Sequence, residues 1–375
     1  MSINDLRIAL LNCLCAKQAG EQLIVRIERE DQDALEVLAL FGIDYSQLYY
    51  QSNNFKYHLQ FASTLLDTKK AFICFCPQEN EASPCQGTCE HLSSEAILNT
   101  AKPFVIRLKK GDTARDSFVI MRTDKYPTYT FACACDDMLQ GVTTIIREEE
   151  REHNAPKEEH IRTSIGYDQA INYTHVPTLQ IQKDESDVKW LLDQGFMPEA
   201  IVNYLLRLGN LAPCEIFYMV EALAWFDIKN ISKSPIPFDI DKLRFINREH
   251  IKRIPDMELS KRMGYACENI GKLAKLYTEE VSTTYEIKQK IDVLFAPKTL
   301  HVKFEKESKL LKELIQQAPY FDTFEAFQAY LLQKSELKDE AFLMPLRFLL
   351  TGCDKGLDLE LLYPLIKNYL KEIVR

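Results

Sequence analysis

Two short segments bring metal-ligating side chains close together: Cys74-Phe75-Cys76, and Cys85-Gln86-Gly87-Thr88-Cys89-Glu90-His91. Zinc takes tetrahedral sulfur and nitrogen ligands, and two close-spaced pairs joined by a loop can supply them. Pro84 and Gly87 suit the tight turn of such a knuckle. The spacing therefore predicts a Zn2+ site with Cys74, Cys76 and Cys89 as ligands and Cys85 or His91 as the fourth. The competing reading makes Cys74 and Cys76 small apolar residues on one buried strand face. Cys13 and Cys15 lie on a helix, where residues two apart diverge, so they form no site. Cys133 and Cys135 read as one face of a strand, with core packing as their role. A second chemistry-bearing stretch, residues 241–253, concentrates Lys242, Arg244, Arg248 and Lys252 on a helix-like pattern. Those cations could contact nucleic-acid phosphate, or they could be a solvated helix face.

The composition bounds the proteins that could carry these groups. The chain has 375 residues, 46% of them hydrophobic and 27% charged, so a disordered or collagen-like polymer is excluded. Lys plus Arg total 46 against 55 for Asp plus Glu, a net charge of −9, which excludes a generally basic nucleic-acid coat. Twelve glycines are few beside an average near 7%, and point to a helix-rich chain. Eleven cysteines, an odd number, with no secretory leader and no long apolar run, predict a reduced, cytoplasmic protein without a membrane span.

The elements that must hold the site residues alternate over the first half. Helices are predicted from Leu6, from Asp33 to Phe41 and from Asn54 to Asp67. Strands are predicted at 23–27, 48–50, 71–75, 104–108, 118–121, 129–134, 142–146 and 176–181. Strands alternating with helices imply a parallel α/β sheet. After Asp187 apolar residues recur at helical spacing only, so an all-α half follows the α/β half.

The run from Asp116 through Arg122, Asp124, Pro127-Thr128-Tyr129 and Asp136-Asp137 to Ile145-Ile146-Arg147 resembles a stretch of glutamyl-tRNA synthetases. The family reads D-F-x-x-x-R-x-D-x-x-P-T-Y-x-x-A-x-x-x-D-D and then I-R-G-E-D. Other pieces agree in order: Leu6 to Asn12 resembles the helix after the HIGH motif, and Arg26-Ile27-Glu28 the start of R-I-E-D-T-D. The stretch from Ser232 to Asn247 is similar to the helical junction, and Met344 to Arg347 with Thr351-Gly352 to the anticodon-binding end. The cysteine cluster sits where some members carry a zinc knuckle, with Cys85 in place of a tyrosine.

The resemblance implies a Rossmann-type class I catalytic domain over 1–187, with residues 70–115 as an acceptor-binding insertion carrying the knuckle. A helical stem-contact domain over 188–296 and an anticodon-binding domain over 297–375 would follow. It implies ATP with Mg2+, glutamate and tRNA as substrates, a monomer, and a glutamate pocket made by Glu28, Tyr129 and Arg147. An arginine suits pairing with a carboxylate. Lys242, Arg244, Arg248 and Lys252 would face tRNA. The departures are specific. The family's first strand, R-F-A-P-S-P-T-G, would precede Met1. The HIGH motif aligns with Ser2-Ile3-Asn4-Asp5, and the lysine-rich KMSKS loop has Lys183 as its remnant. The acidic run Glu148 to Glu152, with Glu158 and Glu159, is a poor neighbour for a triphosphate. The expectation is glutamate–tRNA ligation through a glutamyl-adenylate at doubtful efficiency. The alternatives are a degenerate relative that binds tRNA or a protein partner, and a zinc-stabilised interaction protein.

Overall fold

The computed structural model describes residues 1–28, 30–76, 85, 87–111, 116–182 and 187–375. Pro84 and Lys183 therefore lie outside the described residues. The chain divides into two compact units. The first comprises Met1–Gln182, Leu206–Pro213 and Met219–Phe238; the second comprises Lys183–Leu205, Cys214–Tyr218 and Asp239–Arg375.

The first unit opens on helix α1 (Ile3–Ala19), whose Ser2 cap and Asp5 form a reciprocal capping box. Its buried Ile3, Leu6, Leu10, Cys13 and Leu14 recur at helical spacing, and Gly20 ends it at φ +69°. Strand β1 (Ile24–Ile27) and strand β2 (Gln47–Tyr50) then pair in parallel, joined through helix α2 (Gln32–Leu40). Helix α3 (Phe55–Asp67) leads into an antiparallel sheet of β3 (Ala71–Cys74), β4 (Val105–Leu108) and β5 (Phe118–Met121). Short helix α4 (Ser94–Leu98) lies between β3 and β4. After helix α5 (Tyr129–Leu139), strand β6 (Thr144–Glu148) pairs in parallel with β7 (Asn172–Val176), across helix α6 (Ala155–Ile165). A last parallel pair joins β8 (Leu179–Gln180) to β9 (Ile236–Pro237).

Among the described residues the α/β expectation thus resolves into three separate parallel pairs and one antiparallel sheet. The β6 backbone is completed by a side chain: Asn12 Nδ2 donates to the Ile146 carbonyl at 2.9 Å, and the Ile146 N–H donates to Asn12 Oδ1 at 3.4 Å. Asn12 supplies there what a neighbouring strand would otherwise supply.

Two expectations need correction. Residues 129–134, expected as a strand, form the first part of α5, so Cys133 and Cys135 do not share a strand face. Every residue from Phe131 to Asp137 is buried, and a helix buried all round has no amphipathic period to betray it. The run expected as a strand at 176–181 is broken at Pro177 into the end of β7 and the start of β8.

The described residues of the second unit are helical, without strands. Helix Ile240–Arg253 buries Leu243, Ile246, Asn247, His250 and Ile251. Asn247 ties three segments together: its Oδ1 accepts the Met197 N–H at 2.8 Å, and its Nδ2 donates to the Ser282 carbonyl at 2.7 Å. No helix among the described residues is long and apolar enough to cross a membrane.

Candidate functional site

The first group of predicted residues lies around α5 and the parallel pairs β1–β2 and β6–β7. Arg147, on β6, is largely buried, and its Nη1 donates to both oxygens of Glu158, at 2.9 and 3.0 Å. Its Nε points at His175 Nε2 at 3.3 Å, and its guanidinium carbon stands 4.7 Å from the Tyr173 ring centre. Burial and the Arg147 charge hold the His175 imidazole below its ordinary value. Nη2 of Arg147 is buried with no hydrogen-bond partner among the described residues. Glu158 is fully buried and also accepts from the Tyr173 hydroxyl at 2.9 Å.

Tyr129, the first residue of α5, hydrogen-bonds Arg151, whose guanidinium stacks 4.9 Å from the phenol ring centre. Burial and neighbouring Cys133 raise the phenol above its usual range. Glu28, just past β1, is exposed. Behind these residues Arg26 of β1 donates to Asp137 at 2.8 Å and to Gln140 at 2.9 Å. Adjacent Asp136 accepts from Gln51 at 3.0 Å and Asn54 at 2.9 Å, and meets His58 Nε2 at 2.8 Å. Burial alone would raise Asp136, but those bonds outweigh it and hold the carboxyl below the ordinary range. This network fixes α5, and so Tyr129, against β1 and α3.

The residues aligned with the HIGH motif are spent on local structure. Ser2 Oγ accepts the Asp5 N–H at 3.0 Å and donates to Asp5 Oδ2 at 2.7 Å, which also accepts the Ser2 N–H at 3.3 Å. Ile3 is core, and Asn4 Oδ1 accepts the Leu179 N–H at 3.0 Å. A helix N-terminus attracts phosphate through free N–H groups and positive potential. Here a carboxylate already occupies the first turn, and Glu148 lies within its field. These residues do not fit a triphosphate.

The cysteine group does converge. The sulfurs of Cys74, Cys76, Cys85 and Cys89 all lie within 4.8 Å of one another, and Cys76 Sγ is 3.6 Å from Cys89 Sγ. Four thiolates at about 2.3 Å from zinc stand roughly 3.8 Å apart at the corners of a tetrahedron. The donor set therefore fits a thiophilic divalent metal. His91 is exposed and not in this group. Phe72, Val105 and Val119 pack with the buried Cys74 and Cys89, while Cys76 and Cys85 are half-buried. Burial opposes a thiolate at Cys89, but the Phe75 N–H and the other three thiols win and hold it below the ordinary thiol value.

The predicted phosphate-facing cations are mostly neutralised. Lys242 pairs with Glu215, Arg244 with Glu286 at 2.7 Å, and Lys252 with Glu249 at 3.2 Å and Glu279 at 3.4 Å. Arg248, half-buried on the same helix, has no such acidic partner among the described residues. The ion pairs set the helix against its neighbours and leave little uncompensated charge.

Residues 2–86 and 95–245 match the profile of the class I tRNA synthetases (E and Q), catalytic domain. The chain belongs to this family. The synthetase is 45% identical to glutamate–tRNA ligase 1 of Campylobacter jejuni strain 81-176 over a 421-residue alignment, covering 100% of this chain and 97% of that protein. It is 43% identical to glutamate–tRNA ligase 1 of a Nitratiruptor species, again over 100% and 97% of the two chains. The alignments are longer than the 375-residue chain, so the relatives hold internal segments that this synthetase lacks. A glutamate tRNA ligase from Elizabethkingia meningosepticum, solved in complex with its amino acid, superposes with TM-score 0.75 at 20% identity, covering 100% of this chain and 96% of that one. The fold is therefore the class I synthetase fold, Rossmann-type and then helical.

The sequence reading missed Glu158, Tyr173 and His175 as a group, and counted Glu158 only in the acidic run that makes a poor neighbour for a triphosphate. A signal was available: Glu158, Ile161 and Arg162 recur at i, i+3 and i+4, which sets Glu158 on the apolar, buried face of α6.

Proposed function

We propose that this chain attaches glutamate to tRNA at the expense of ATP and Mg2+, through a glutamyl-adenylate. Whole-length likeness to proteins named glutamate–tRNA ligase carries this reading. Glu28, Tyr129 and Arg147 are the proposed glutamate pocket. The charged end of Arg147, on a rigid strand, meets the substrate side chain, and Tyr129 packs the wall beside it. Glu28 is the proposed partner of the substrate amino group. Cys74, Cys76, Cys85 and Cys89 hold zinc, which ties the β3 end to the segment before α4 and supplies structure rather than chemistry. Arg248 leads the tRNA contacts, with Lys242, Arg244 and Lys252 behind it. Residues 188–296 serve the stem contact and 297–375 the anticodon end, in a cytoplasmic monomer.

The capping box at Ser2 and Asp5 favours a second reading, in which the chain binds tRNA but forms adenylate poorly. Removing a single preorganised donor to a developing charge costs about 10²–10³ in rate. Lys183 alone answers to the lysine loop. ATP–pyrophosphate exchange with glutamate and tRNA separates the two. Robust exchange supports the ligase; background exchange with salt-sensitive filter binding of tRNA supports the second reading. Absence of both refutes the tRNA role.

A further inference from the structure

The short 3₁₀ helix Glu149–Asn154 carries one arginine among acids, and the fold sorts them. Glu149, Glu150 and Glu152 are exposed, whereas Arg151 is half-buried and turns onto Tyr129. Its Nη1 donates to the Tyr129 hydroxyl, and its guanidinium carbon stands 4.9 Å from the phenol ring centre. Stacking on an aromatic face orients the planar guanidinium and leaves most of its five N–H donors unused. Tyr129 is 43% exposed, so the pair is reachable from solvent. Glu148 lies within the field of Arg151, but among the described residues no acid stands at ion-pair distance from it. Its neighbours around α5 are matched: Arg26 pairs with Asp137 at 2.8 Å, and Arg147 with fully buried Glu158 at 2.9 Å.

A carboxylate that leaves water gives up a large hydration energy, and a cation whose charge is not yet committed offsets it best. Both oxygens of Glu158 already meet Arg147 at hydrogen-bond distance, so the Arg147 charge is largely spent inside the protein. Arg151 is the cation beside Tyr129 whose charge stays open, and a neutral amide gains far less from it than a carboxylate does. The side chains of glutamate and glutamine are near-isosteric and differ in this charge, so packing against Tyr129 does not separate them. We propose that Arg151 is a specificity-determining residue of the glutamate pocket. Its guanidinium, held flat on Tyr129, pairs with the side-chain carboxylate of the substrate and makes the site prefer the acid to the amide. Arg147, its orientation set by Glu158, shapes the pocket; the uncompensated charge comes from Arg151. The inference rests on the reading of Tyr129 as a wall of that pocket.

Calorimetric titration of the full chain with L-glutamate and with L-glutamine reads this preference directly. The wild type is expected to bind glutamate more tightly than glutamine. Arg151→Gln keeps a hydrogen-bonding group and removes the charge. It should cut glutamate affinity roughly tenfold or more, the difference between a charge-assisted hydrogen bond and a neutral one, and leave glutamine within about twofold. Arg151→Lys keeps a point charge without the planar fork and should retain part of the preference. This second variant keeps the test open if Arg151→Gln does not fold. An equal loss for the two amino acids overturns the proposal, because it assigns Arg151 to the α-carboxylate or to holding Tyr129 in place. A glutamate affinity unchanged in folded Arg151→Gln overturns it, as does a wild type without preference for glutamate. Loss of folding in both variants assigns Arg151 to the fold and overturns it as well. Tyr129→Ala tests the premise separately. If it leaves both affinities unaltered, or if the wild type binds neither amino acid, the pocket reading itself fails and the proposal with it.

Discussion

Replacing Asp136 by alanine removes the acceptor on which the buried side of α5 converges. The carboxylate is fully buried and meets His58, Asn54 and Gln51 at 2.8, 2.9 and 3.0 Å. Arg26 is not orphaned by the change, because it keeps Asp137 at 2.8 Å. Gln51 and Asn54 are half-buried and can turn to water, whereas His58 is 1% exposed and cannot. An unsatisfied buried donor costs about 1–3 kcal/mol, and removing one partner of a buried charged pair about 3–5 kcal/mol. The expected loss is therefore about 3 kcal/mol, a large share of a typical domain's stability. Asp136→Asn keeps one carbonyl acceptor and should cost about half as much. The chain has two tryptophans, Trp225 in the first unit and Trp190 in the second, so Trp190→Phe leaves fluorescence that follows the first unit in urea. The pH dependence has a definite sign. A carboxyl held below its ordinary value contributes stability that is fully present above the unfolded pKa, near 3.9, and is lost as pH falls through the lower folded value. Asp137 is raised by burial and acts in the opposite direction, so the comparison is between wild type and Asp136→Asn. The variant should lose less stability than wild type on acidification from pH 5 to about pH 3. A cost under about 0.5 kcal/mol for Asp136→Ala, the range of an ordinary surface substitution, would refute the network as the anchor of α5.

Metal analysis should find zinc in the wild type and in His91→Ala, and not in Cys74→Ser or Cys85→Ser; zinc retained by Cys85→Ser would remove it from the ligand set. Arg248→Ala should weaken tRNA binding and lower the salt slope by about one. Lys242→Ala, which loses a cation already paired to Glu215, should change both far less. Gly271→Ala should destabilise the second unit by about 1–3 kcal/mol or more, because an added Cβ would stand 1.8 Å from the Asp256 carbonyl oxygen. Cys267 is held below the ordinary thiol value by the Tyr369 hydroxyl, with the Asn269 and Ile270 N–H groups adding to it against burial. Tyr369→Phe should therefore slow its alkylation at neutral pH, and an unchanged rate in mass-spectrometric mapping would discount that bond.

Cysteine spacing is informative in this chain because metal ligation depends on side-chain type and on short loops, both local properties. It leaves the fourth ligand open between Cys85 and His91, since two residues six apart can each reach a centre if the loop turns suitably. The family motif is legible from Pro127 to Arg147 for a similar reason, being a linear run of residue types. The secondary structure of the same run is not. Ala, Cys and Phe alternate there with a period of two, yet the stretch from Phe131 to Asp137 is buried on all sides of α5 and carries no helical stripe.

Charges are the least legible. Lys242, Arg244 and Lys252 read as a basic face, and the fold hands each an acid: Glu215, Glu286 and Glu249 or Glu279. Glu158 reads as one more member of an acidic run, and the fold buries it against Arg147. An ion pair is a property of two distant positions and of the dielectric between them, neither of which is written along the chain. The sequence alone determined the family, the division into an α/β half and a helical half, and the capacity for a cysteine-bound metal, because each rests on residue type and short-range spacing. Which thiols meet, which cations stay uncompensated, and whether Arg147 offers its charge to a substrate were decided only by tertiary packing, which brings β6, α6 and β7 together and excludes water from between them.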